Sequence, residues 1–198
     1  MKKGIIILSG IIALYITGFA QETGIIDQKE KDAILYMREE EKLARDVYDS
    51  LYAKWGVNPF GNIRYSEQVH MDRMKTLIVN YKMEDPVARN NDRPGMFVNP
   101  VLQKYYHELV NSGSKSLTEA LKVGAKIEEL DITDLEERIR QTQKEDIIAS
   151  FEFLKMASNH HLRAFVRRLK MAGISYEPVI LSTKDFDKII ALEDGKNE

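Results

Sequence analysis

The sequence predicts an all-α fold: a bundle of four long helices with a long crossover segment and an extended C-terminal tail. Apolar residues recur at steps of three and four from Asp27 onward, which is the period of amphipathic helices. The chain has 198 residues and 43% hydrophobic content, enough for one domain with a real core. Since no Gly/Ser-rich or Pro-rich linker divides it, we place a single bundle domain at residues 27–190.

The first half of the bundle is a predicted pair of long helices followed by the crossover. The first helix spans about Asp27–Lys54, and the second spans about Arg64–Met83, where the Asp85-Pro86 pair ends it. The crossover segment, Asp85–Pro100, is rich in turn-forming residues. A short helix over about Val101–Val110 follows it.

The second half is a predicted pair of long helices followed by the tail. The sequence Ser116-Leu117-Thr118-Glu119 is a capping box that begins the third helix. A break near Asp131–Thr133 is an alternative to one continuous helix, because Thr133 and Glu136 repeat the capping pattern. The fourth helix spans about Lys144–Ala172 and ends at a glycine. The tail from Ile174 onward is expected to pack as extended chain.

The first 20 residues have the pattern of a secretory signal peptide. Two lysines precede an uncharged apolar run, Gly4–Ala20, which ends in small residues, so cleavage is expected after Ala20. The mature protein would then be periplasmic or extracellular, without stable membrane insertion. An uncleaved N-terminal membrane anchor is the alternative. The chain contains no cysteine, which excludes disulfides and a lipid-modified cysteine.

The charge balance restricts the partners. Lys and Arg number 29 against 31 Asp and Glu, so there is no large basic surface for nucleic acid. The expected partners are metal ions, small oxidants or another protein, and homo-oligomer formation stays open.

A metal site is indicated by the second helix. Glu67 and His70 are three residues apart and lie on the same helix face as Met74 and Leu77. In four-helix bundles that hold two iron or manganese ions, two helices each supply one Glu, and the other two each supply a Glu-x-x-His pair. The remaining ligands are therefore expected on the other three helices.

The first and third helices each offer a carboxylate on the core face. Of three consecutive glutamates, Glu41 continues the apolar face of the first helix, and Glu40 is the alternative. All three glutamates could instead be solvated charges. On the third helix Glu128 lies on the core face, whereas Glu129 is expected to point to water.

The fourth helix fits the pattern only in part. His161 lies on its core face, but Ser158 occupies the position three residues earlier where the pattern has Glu. Serine is a poor ligand for a hard divalent ion, so Asn159, His160, Asp131 or water would have to take that place.

Three sequence segments resemble the ferritin-like bacterial proteins grouped as domain-of-unknown-function family 2202. The segments are Met37–Tyr48, Phe60–Ile63 together with Ser66–Met71, and Ser158–Phe165. The resemblance covers about Ala33–Pro178 and implies a ferritin-like four-helix bundle. The spacing of Glu41, Ala44 and Tyr48 also resembles the first helix of rubrerythrin-like proteins, which favours Glu41 over Glu40. By the same resemblance, the metal ligands are expected to be Glu41, Glu67, His70, Glu128 and His161.

Two function classes follow from these patterns. In the first, the five ligands hold one or two iron or manganese ions that react with oxygen, peroxide or ferrous iron. Glu41 and Glu128 would bridge the ions, the histidines would be terminal ligands, and Tyr48 would be the catalytic residue that donates a hydrogen bond or an electron. In the second, the protein is a non-catalytic bundle for metal storage, sensing or scaffolding, whose polar core residues satisfy one another.

Overall fold

The computed structural model describes residues 26–191, and in that range the chain forms helices and no strand. In chain order the helices are α1 Gln28–Trp55, α2 Phe60–Asn80, α3 Pro86–Arg89, α4 Pro100–Gly113, α5 Leu117–Arg140, α6 Glu145–Met171 and α7 Thr183–Ala191. The predicted signal peptide, 1–20, lies outside the described residues. Within 26–191, every helix is too short or too polar to cross a membrane.

The four long helices α1, α2, α5 and α6 form the predicted all-α bundle. Short turns join α1 to α2 and α5 to α6, so each pair packs antiparallel. Helix α1 also lies beside α5, and α2 lies beside α6. The bundle interior consists of two apolar clusters. One cluster surrounds Tyr48, Phe60 and Phe165, and the other surrounds Met37 and Phe151.

Several element boundaries differ from the sequence prediction: α2 ends three residues early, α4 ends three residues late, and the crossover contains the short helix α3. Helix α2 begins at Phe60, four residues before the predicted start. Helix α5 runs without a break, because Thr133 Oγ1 donates a hydrogen bond to the Glu129 carbonyl oxygen one turn earlier, at 2.8 Å, instead of capping a new helix. The predicted extended tail is wrong in its second half, where residues 183–191 form α7 and Phe186 is buried.

The crossover segment is fastened to the outer face of α1. Glu39 accepts hydrogen bonds from the backbone N–H groups of Val98 and Asn99, the latter at 2.9 Å. Lys42 is fully buried, where it pairs with Asp46 and donates to the Arg93 carbonyl oxygen at 2.8 Å. Glu39, Glu40 and Glu41 are all at most 4% exposed, so the alternative that these glutamates are solvated is wrong.

Glu129 fastens the tail to α5, and the expectation that it points to water is also wrong. Its carboxylate is 0% exposed. The Tyr176 hydroxyl donates to it at 2.6 Å, and the backbone N–H groups of Ile180 and Leu181 donate at 2.7 and 2.8 Å. A buried carboxylate is tolerated here because the returning tail supplies its donors.

We predict that Glu129→Gln lowers the free energy of unfolding by about 2–4 kcal/mol, because hydrogen bonds to a charged acceptor are lost and an amide N–H₂ faces backbone donors. Urea unfolding followed by circular dichroism measures the change. The matched control is Glu136→Gln on the exposed face of the same helix, which should leave stability unchanged. Equal stability of the two variants would contradict the anchoring role of Glu129.

Candidate metal centre

A polar layer separates the two apolar clusters of the bundle, and all four long helices contribute to it. Two groups of metal-ligating side chains lie in this layer and share one member. The first group is Glu41, Glu67 and His70, and the second is Glu67, Glu128 and His161. Within each group the ligand atoms all lie within 4.8 Å of one another. All five side chains singled out in the sequence thus come together.

Glu67 lies between the two histidines. Its Oε2 is 2.7 Å from His70 Nδ1, and its Oε1 is 3.0 Å from His161 Nδ1. The flanking carboxylates complete the two groups: Glu41 Oε2 is 3.1 Å from His70 Nδ1, and Glu128 Oε2 is 3.4 Å from His161 Nδ1. The structure therefore places Glu67, and not Glu41 or Glu128, in the position shared by both groups.

Ser66 orients both imidazole rings, and sequence reasoning missed it. Its Oγ lies 3.1 Å from His161 Nε2 and 3.4 Å from His70 Nε2. The rings stack with their centroids 5.6 Å apart. With both Nε2 atoms directed to one hydroxyl, both Nδ1 atoms face the carboxylates. The spacing of four between Ser66 and His70 on one helix was the available signal.

Tyr48 and Gly124 support the Glu128 side of the layer. The buried Tyr48 hydroxyl donates a hydrogen bond to Glu128 Oε1. Gly124 lies one turn before Glu128, and a Cβ there would approach the Phe165 ring to 2.3 Å. The absence of a side chain at Gly124 therefore lets α5 and α6 pack closely beside the site.

Two of the alternative ligand positions, Glu40 and His160, do not join these groups. Glu40 is buried but faces Tyr36, whose hydroxyl lies 3.4 Å from Glu40 Oε1. His160 is exposed and its Nδ1 lies 2.6 Å from Arg163 Nη2. The geometry thus agrees with Glu41 over Glu40 and with His161 over His160.

Burial and the close approach of carboxylates to imidazoles shift the pKa values of the ionisable groups in the polar layer. Burial alone would lower the pKa of both histidines, but the neighbouring carboxylates outweigh it. They raise the pKa of His70 to about 11 and that of His161 to about 10. Burial raises the pKa of Glu41 to about 8, although His70 opposes it. Glu67 is buried too, yet the two histidines hold its pKa well below the usual range.

The residues present fit a divalent cation. Two buried carboxylate oxygens, Glu41 Oε1 and Asp131 Oδ1, make no hydrogen bond among residues 26–191. Buried polar groups without partners are costly, and a cation held by Glu41, Glu67 and His70 would be a partner for Glu41 Oε1. Carboxylate and imidazole ligands suit iron, manganese and zinc.

Fold and site together define the class of this protein: an all-α four-helix bundle with a buried centre of carboxylates and imidazoles. Residues 30–193 match the model of the uncharacterized protein domain DUF2202, and the chain belongs to this family. It is 49% identical over 166 residues to uncharacterized protein MJ0754 of Methanocaldococcus jannaschii, covering 84% of this chain and 89% of that protein. The crystal structure titled hypothetical protein MJ0754 from Methanococcus jannaschii superposes with a TM-score of 0.82 at 48% identity, over 85% of this chain and 95% of that one.

We predict that the metal-free protein loses stability as the pH rises from about 7 to 9. The raised pKa values of His70 and His161 mean that the folded state binds their protons more tightly than the unfolded state, where a histidine has a pKa of about 6.5. Their stabilisation is complete below that pH and is lost as the pH rises toward the folded values. The raised pKa of Glu41 acts in the same direction below about pH 8.

Urea unfolding of metal-free protein at several pH values measures this slope. The control is the double variant His70→Gln, His161→Gln, whose stability should depend less on pH in the same range. A wild-type free energy of unfolding that stays constant or increases toward pH 9 would contradict the protonated state of the two imidazoles.

Proposed function

We propose that this protein is an exported metal-binding protein with a carboxylate-bridged di-iron or di-manganese redox site that acts on oxygen, peroxide or ferrous iron. The observation that carries the proposal is the pair of Glu/His groups that share Glu67 in the bundle core. Two adjoining ligand groups with a common carboxylate correspond to two neighbouring ions. The proposed ligands are Glu41, Glu67, His70, Glu128 and His161.

The surrounding residues suit a redox centre for small reactants. Bound iron or manganese would supply electron transfer to oxygen or peroxide. The side chains of Glu41, Glu67 and His70 are at most 2% exposed, which keeps bulk water and large substrates from the ligands. Tyr48 holds Glu128 through its hydroxyl, and Ser66 keeps the Nδ1 atoms of both imidazoles directed at the ion positions.

A non-catalytic bundle is the second candidate, and one contact favours it. His70 Nδ1 is within 3.1 Å of both Glu41 and Glu67, so this half of the layer satisfies much of its own hydrogen bonding. Metal storage, metal sensing or scaffolding would all use such a core without turnover. Metal content and peroxide reactivity separate the two candidates.

We predict one or two iron or manganese ions per chain after purification from cells supplied with both metals. Glu67→Ala, His70→Ala should reduce the metal content to background, because Glu67 belongs to both ligand groups. Plasma mass spectrometry counts the ions. The matched control is Asp72→Ala, Lys75→Ala, with the same spacing on the exposed face of α2. Background metal in the wild type and the control would refute the metal-site proposal.

We predict that Tyr48→Phe retains bound metal but lowers the rate of ferrous iron oxidation or peroxide removal by about 10-fold or more, because outer hydrogen bonds to ligands tune the metal. Stopped-flow absorption measures this rate. Tyr52→Phe, one turn further along α1 and half-buried, is the control. If the Tyr48→Phe variant oxidised ferrous iron or removed peroxide at the wild-type rate, Tyr48 would have no catalytic role.

A further inference from the structure

Helix α6 lacks the carboxylate that its histidine would be paired with, and Ser158 stands in that position. Its side chain is 1% exposed. The Ser158 hydroxyl donates a hydrogen bond across the helix interface to Asp131 Oδ2 on α5. The hydroxyl that replaces a ligand is therefore directed at a carboxylate from the neighbouring helix.

Asp131 is held by one oxygen and has the other oxygen free. It lies one helical turn after Glu128, and it is 5% exposed. Its Oδ1 makes no hydrogen bond to any residue from 26 to 191. Asp131 lies outside the two groups whose ligand atoms are within 4.8 Å of one another, but the charges of Glu41, Glu128 and Glu67 act on it. A ligating carboxylate has this arrangement, with one oxygen fixed by an outer hydrogen bond and one available to an ion.

We propose that Asp131 is a fourth carboxylate ligand of the metal site and that Ser158 is its positioning residue. This inference rests on the function proposed above. Helix α5 would then supply Glu128 and Asp131, and α6 would supply only His161. The ligand set becomes four carboxylates and two imidazoles, which is the same number and type as in bundles with two Glu-x-x-His helices.

An ordinary structural role explains the same residues less well. A Ser–Asp hydrogen bond alone satisfies Asp131 Oδ2 but leaves Oδ1 unpaired. It would also bury a fourth carboxylate near Glu41, Glu67 and Glu128. A buried polar oxygen without a partner is costly, and a bound cation would be such a partner for Asp131 Oδ1.

Titration of metal-free protein with Co²⁺, followed by calorimetry and by visible absorption, tests the proposal. Asp131→Asn keeps the shape of the side chain and removes its charge, and it should weaken binding of at least one Co²⁺ by about 100-fold. Ser158→Ala should weaken the same binding step by about 10-fold. The matched control is Asp134→Asn, the same substitution one turn further along α5, which should bind Co²⁺ as the wild type does.

Thermal unfolding of the metal-free variants separates a ligand from a structural residue. If Asp131 is a ligand, Asp131→Asn should leave the metal-free Tm unchanged or higher, because asparagine keeps the side-chain shape and the oxygen that accepts from Ser158. Unchanged Co²⁺ binding by Asp131→Asn would overturn the inference, and so would a loss of binding that is accompanied by a clear fall in the metal-free Tm. In both cases the proposed function stands if the wild type binds two ions that Glu67→Ala, His70→Ala loses. A wild type that binds no Co²⁺ would instead refute the proposed function.

Discussion

The rest of the structure depends on a charged layer buried between two apolar clusters. Removing carboxylates and imidazoles from water is expensive unless each charge has a partner in good geometry. The bundle meets this constraint by placing Glu67 between two histidines and by directing both Nε2 atoms to the single hydroxyl of Ser66. For these contacts to form, each helix must be rotated about its axis so that its polar side chain faces the others. The polar layer thus specifies how the four helices register with one another, which apolar packing alone would leave less strictly defined.

Helix α1 connects this layer to the outside of the bundle through three consecutive glutamates. Because each residue turns the helix by about 100°, neighbouring side chains leave in different directions. Glu41 points into the polar layer, Glu40 faces Tyr36, and Glu39 holds the crossover. One sequence run therefore has three separate partners. The crossover and the candidate ligand Glu41 are both held by α1, so movement of one requires movement of the other.

The long helices and the five ligand candidates could be predicted from the sequence because they rest on periodicity. A side chain on the apolar face of a helix is buried whichever helix packs against it. The partners of Glu129 could not be predicted in this way, since its donors come from a tail about 50 residues further along the chain. The same holds for Lys42, whose charge is buried only because the crossover folds over it.

The helix periodicity also could not show which carboxylate lies opposite Ser158. A pattern of Glu-x-x-His compares residues on one helix, whereas the contact between Ser158 and Asp131 joins α6 to α5. The position of α5 along the axis of α6 decides which α5 carboxylate lies opposite Ser158. Asp131 was one of four alternatives in the sequence, and its hydrogen bond from Ser158 on the facing helix distinguishes it from the exposed His160.

Two ways of balancing charge compete within the polar layer. Without an ion, protons on His70 and His161 offset the carboxylates, and this is why the carboxylates raise the pKa of both imidazoles. An imidazole must lose its proton to bind a metal through Nδ1, so each ion bound there releases a proton. The ion then takes over the neutralising role of the proton it displaces. Cations that bind imidazole weakly, such as Ca²⁺ and Mg²⁺, gain little from this exchange. Competition with protons therefore favours transition metals at a site whose carboxylates alone would accept many cations.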